Sequence, residues 1–118
     1  MLTREVTLCG KKVKIAYSFR TEMCFYKITG KPVTEMTPGD PTDYISMVMA
    51  AVIAYAQSQK QEPPLDDIEL MMDNAKPTEI IEAINAISEM TQEMYEVPDD
   101  VAAKNKPKEG KGKTKKNA

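Results

Sequence analysis

The sequence predicts an α+β fold that is mainly α: an N-terminal β-hairpin followed by about four helices and closed by a disordered basic tail. Three observations carry this. Period-two alternation of apolar and polar residues is confined to the first 17 positions. Downstream, apolar residues recur at helical spacing behind recognisable helix-start signals. From Lys104 to Ala118 the charge reverses, with seven Lys against one Glu, whereas residues 1–103 hold nine basic and 17 acidic residues. A like-charge block of this kind buries too little apolar surface to offset the entropy of ordering. The expected organisation is therefore one folded domain over 1–103, a length suited to one core, and a Lys-rich tail over 104–118.

In the hairpin, Val6 and Leu8 alternate with Thr7, and Val13, Ile15 and Tyr17 alternate with Lys12, Lys14 and Ala16. Gly10-Lys11 is the expected turn between them. The lysine-bearing face is expected to be wet and the other covered, because an isolated hairpin is marginal in water. Ser18 is placed to cap a helix from Phe19 to Gly30, where glycine is a natural stop. Phe19, Phe25 and Tyr26 cluster there beside Tyr17, and core is the default expectation for such a cluster. Lys31 to Pro41, with three Pro and a Gly, reads as a loop.

Asp40-Pro41-Thr42-Asp43 combines an N-cap, a Pro at the first helical position and an acid in the first turn. The helix it opens runs to about Gln59 and is apolar nearly all round, so it is either central to the domain or partly covered by another molecule. After the polar loop Ser58 to Pro64, Pro64 is expected to open a short helix. Leu65, Ile68, Met71 and Met72 would face inward there, with Asp66, Asp67 and Glu69 outward. Pro77-Thr78-Glu79 starts the last helix, expected to reach about Glu96, with Ile80, Ile84, Ile87, Thr91 and Met94 in one line and Ile81, Ser88 and Tyr95 beside it.

Composition narrows the chemistry. There is no His and no Trp, so the side chain that most readily titrates near neutral pH and the commonest metal ligand are both missing. Nucleophile–His pairs cannot be assembled. Cys9 and Cys24 are spaced too widely for a CxxC motif and are too few for a zinc site. They read as small apolar side chains. Ile28-Thr29-Gly30-Lys31 lacks the first glycine of a phosphate loop and the strand before it. Asp66 and Asp67 are adjacent on a helix and point different ways, so they read as helix-start charges rather than a metal pair. The expectation is a non-enzyme without metal or cofactor. The N-terminus has no apolar leader segment, and no apolar run nears the length of about 20 residues needed to span a bilayer. A cytoplasmic protein is expected.

Nine Met is a surplus for so short a chain. Met suits surfaces that accept varied apolar partners, so some Met-bearing helix surface is expected to stay uncovered for a partner. The expected contact residues are Met47, Val48, Ala51 and Val52 on the long helix, with Ile84, Ile87 and Met94 on the last. The tail, including Lys111, Lys113, Lys115 and Lys116, is an expected electrostatic element. Nucleic-acid binding through it is not favoured, because the acidic body repels the same polymer.

The order of these features resembles the tail assembly chaperones of long-tailed bacteriophages and related prophages. The resemblance lies in the small β element from Val6 to Tyr17 and in the short helix ending Ile28-Thr29-Gly30-Lys31-Pro32. It continues through the apolar helix from Asp43, the run Pro63-Pro64-Leu65-Asp66-Asp67-Ile68, and a closing helix with an Ile-rich line. It covers about residues 5 to 97. It implies a protein that binds the tape measure protein, keeps it soluble and promotes assembly of the tail tube from major tail protein. It also implies action in the bacterial host cytoplasm, absence from the mature virion, and in many relatives a longer frameshifted form. A homo-oligomer is compatible with this reading. The rival expectations are a phage structural or connector protein and a small nucleic-acid-binding regulator using the Lys-rich tail.

Overall fold

A computed structural model describes residues 1–96. The Lys-rich tail, the expected domain boundary at 103 and Lys111, Lys113, Lys115 and Lys116 lie outside the described residues. The hairpin pairs β1 (Leu2–Leu8) with β2 (Lys11–Tyr17) antiparallel, in a register that sets Leu2 opposite Tyr17, Val6 opposite Val13 and Leu8 opposite Lys11. Helices α1 (Phe19–Thr29), α2 (Pro41–Ser58), α3 (Ile68–Asn74) and α4 (Pro77–Met94) follow, with a short 3-10 turn at Val33–Glu35. This is the expected hairpin followed by four helices.

The hairpin turn is Cys9-Gly10 rather than Gly10-Lys11. Both residues have positive φ, 53° and 77°, as the two-residue loop matched to strand twist demands. Lys12 and Lys14 are exposed and Val13, Ile15 and Tyr17 buried, as the alternation required. Ala16 departs from it. It lies on the lysine side yet is fully buried, and its carbonyl accepts the Thr21 hydroxyl of α1 at 2.8 Å.

Ser18 caps α1 by accepting from the Arg20 amide, and Gly30 closes it in the left-handed conformation at φ 80°. Asp40 caps α2 through the Thr42 amide, with Pro41 in the first turn. α3 begins four residues later than Pro64. Asp67 caps it, accepting from the Glu69 and Leu70 amides, a side-chain cap that Pro64, compatible with a helix start without requiring one, does not supply.

The core sits around α2, which packs against β2, α1, α3 and α4, while α4 also covers β1. Every residue from Met47 to Val52 is buried. Apolar character all round α2 therefore reflects centrality, the first of the two expected explanations. Phe25, Tyr17, Met71, Ile80, Ala83, Ile87 and Met90 complete the core.

Candidate interaction surface

The residues expected to contact a partner are mostly inside. Met47, Val48, Ala51 and Val52 are at most 1% exposed and Ile87 is also buried. Ile84 and Met94 are half-buried against the core. The reason is geometric: four neighbouring elements pack on α2 and its middle, Met47 to Val52, is wholly buried, so these residues have no free face to lend. Met72, expected inward, is instead exposed, and so is Leu70. A two-turn helix hung on one buried residue, Met71, cannot turn both of its neighbours inward.

Uncovered apolar surface does exist, at other positions. Phe19, Met23 and Tyr26 are 66%, 62% and 56% exposed. They lie at i, i+4 and i+7 of α1, the face opposite buried Thr21, Cys24 and Phe25. The expectation that this aromatic cluster is core therefore holds for Phe25 and Tyr17 only. Phe19, Met23 and Tyr26 form one side of an open hollow of about 510 Å³, with Val33 and Pro32 from the loop and Thr91 and Tyr95 from α4 on its other sides. A polar knot holds its floor. The Tyr17 hydroxyl donates to Glu22 Oε2 at 2.6 Å, and the Tyr95 hydroxyl donates to the same oxygen at 2.8 Å. Burial first, and then the bond to Glu22, push the Tyr17 phenol well above its ordinary range. The bond to Glu22 is the main cause of a like shift at Tyr95. One carboxylate thus ties the start of α1 to the end of α4 and sets Tyr95 at the edge of the hollow.

A second hollow, about 390 Å³, opens at the other end of α4 between Tyr44 and Ile45 of α2, Met72 of α3, and Ile80 and Ile81 of α4. Its open edge is Met72 and Ile81, about half exposed. Met23 and Met72, together with Met1, are the methionines that the core leaves out.

The remaining polar clusters have structural work. Lys31 Nζ donates to Asp43 Oδ2 at 2.8 Å, and the Thr37 amide donates to the same oxygen. This locks the loop between α1 and α2 and uses the lysine of the Gly30-Lys31 pair. Arg4 bridges β1 to Glu93 of α4 at 2.8 Å. Both cysteines are free. Cys24 is buried and Cys9 half-buried, and burial pushes both thiols upward. Among the described residues no group of His, Cys, Asp or Glu is arranged to hold a metal ion, and no helix is long and apolar enough to cross a membrane. The aromatic and Met spacing of α1 was visible in the sequence; what could not be read was which of its two apolar faces the hairpin and α2 would cover. No family model, no curated protein and no solved structure matches this chain.

Proposed function

We propose that the protein is a binding module that acts by stoichiometric contact, a tail assembly chaperone of the long-tailed phage type. In this reading it holds the tape measure protein, a very long helical chain, soluble while tube subunits of major tail protein assemble on it. It works in the host cytoplasm, makes or breaks no covalent bond, and is left out of the finished virion. The observation that carries the reading is the hollow walled by Phe19, Met23, Tyr26 and Tyr95. Exposed aromatic and Met side chains gathered on one concavity are costly in water and suit an apolar helical partner. The acidic body gives the complex the charge it needs to resist aggregation.

The test is co-expression with a tape measure protein, which this reading expects to be encoded beside this chain. The expected result is movement of that protein into the soluble fraction as a complex that survives purification. A tape measure protein as insoluble with this chain as without it overturns the proposal. So does recovery of the chain from purified particles by mass spectrometry, which would make it a structural or connector subunit.

A further inference from the structure

The two hollows meet opposite ends of the same helix. Ile81 edges one and Tyr95 the other, 54% and 53% exposed. Tyr95, the C-cap of α4, lies fourteen positions after Ile81, about 21 Å along the helix axis. A drift of about 20° per seven residues leaves them within about 40° of one face. Ile84, Ser88 and Thr91 fall between them on the same strip at alternating spacings of three and four. Ser88 is exposed and the other two half-buried. Thr91 donates its hydroxyl to the Ile87 carbonyl at 2.7 Å, so its donor is already satisfied within α4. The strip Ile81, Ile84, Ser88, Thr91, Tyr95 is uncharged from end to end and has the seven-residue period of a helix-pairing seam.

Its two flanks differ. One is the core-facing row of Ile80, Ile87 and Met94. On the other side Glu82, Glu89 and Glu96 recur with the same period, all exposed, with Asn85 and Gln92 between them and the seam. Glu93 is already occupied by Arg4. Lys27 stands across the hollow that Tyr95 edges.

We propose that this strip docks an α-helix from another protein, apolar along one side and flanked by Lys or Arg, lying along α4 and filling the hollow at each end. The proposal rests on the binding-module reading above and gives the partner segment its chemistry. The acidic row supplies the sign, since complementary charge sets register and speeds encounter. The same row disfavours a second copy of this chain. In an antiparallel pairing about a two-fold axis it would lie beside its own image.

The test uses the full chain and two synthetic helical peptides of about 21 residues, three heptads. Both carry Leu along the seam; one has Lys flanks and the other Glu flanks. In titration calorimetry at low salt the Lys peptide is expected to bind at least about tenfold more tightly, an advantage that shrinks at about 0.5 M salt. The double variant Ile81→Asp, Tyr95→Asp is expected to lose binding with its circular dichroism unchanged. Reversal of Glu82, Glu89 and Glu96 to Lys is expected to invert the preference. Equal binding of the two peptides, or binding of neither, overturns the proposal. A concentration-dependent doubling of mass in sedimentation that Ile81→Asp abolishes would give the strip to a second copy and overturn it. Tighter peptide binding after Lys111, Lys113, Lys115 and Lys116 are changed to Gln would give the acidic row to the chain's own lysines and would likewise overturn it. Partner solubilisation that survives the double Asp variant would leave the binding module standing and remove this strip from it.

Discussion

Glu79 is the residue on which three amides from two separate pieces of backbone converge. Its carboxylate accepts the Lys76 amide at the start of α4 at 2.9 Å, and the Cys9 and Gly10 amides of the hairpin turn at 3.0 and 3.1 Å. A turn with two residues at positive φ points its amides outward, and Glu79 collects them. These amides, that of Lys76 foremost, hold the Glu79 carboxyl below its ordinary value. The Lys31 ammonium, then the Thr37 amide, do the same for Asp43. The sign follows from linkage: a carboxylate whose folded pKa is depressed adds stability that is complete above the unfolded value, near 4, and drains away as pH falls through the folded one. The urea midpoint is therefore expected to hold from neutral pH to about pH 5 and to fall steeply below about pH 4. Asp43→Asn is expected to lower the midpoint at pH 7 and to flatten that acid limb, measured by urea unfolding across pH.

At the scale of elements, helix starts were legible because each carries its own local chemistry. Ser18, Asp40 and Asp67 are side chains that accept the amides their helices leave open, and two of these starts were expected where they occur. The third was misplaced by four residues because Pro64 is compatible with a helix start without requiring one. The inward face of α4 runs through Ile80, Ala83, Ile87 and Met90, one step round from the line through Ile80, Ile84, Ile87 and Met94. Ala and Met at 83 and 90 are weaker hydrophobic signals than Ile, yet both are fully buried. Met90 and Met72 then make a clean contrast, one fully buried and one half exposed. Met90→Ala is expected to cost about 2–5 kcal/mol in chemical denaturation through the cavity it leaves. Met72→Ala is expected to fall within about 0.5 kcal/mol of the parent.

For the whole molecule, the decisive fact is where apolar surface is left over. Composition implied a surplus of Met and apolar residues beyond what one small core absorbs, and the structure places that surplus on α1, on α3 and at the two ends of α4 rather than in the middle of α2. Phe19→Ser with Met23→Ser is expected to leave stability within about 1 kcal/mol, since both side chains are already mostly in water. It is also expected to abolish solubilisation of the partner in co-expression. An unchanged soluble yield would show that the Phe19 hollow is not the contact surface.

The order of elements and the caps at Ser18 and Asp40 were written in local sequence, because capping, turn geometry and hydrophobic period act within a few residues; that α2 is central rather than covered by another molecule was left open there. Which apolar side chains stay outside was not written there either, and only the tertiary structure decided it. Periodicity sorts residues into faces, but burial depends on how many faces neighbouring elements reach. α2 has four neighbouring elements and its Val48 and Val52 are fully buried, while Phe19 and Met23 on α1 stay mostly exposed.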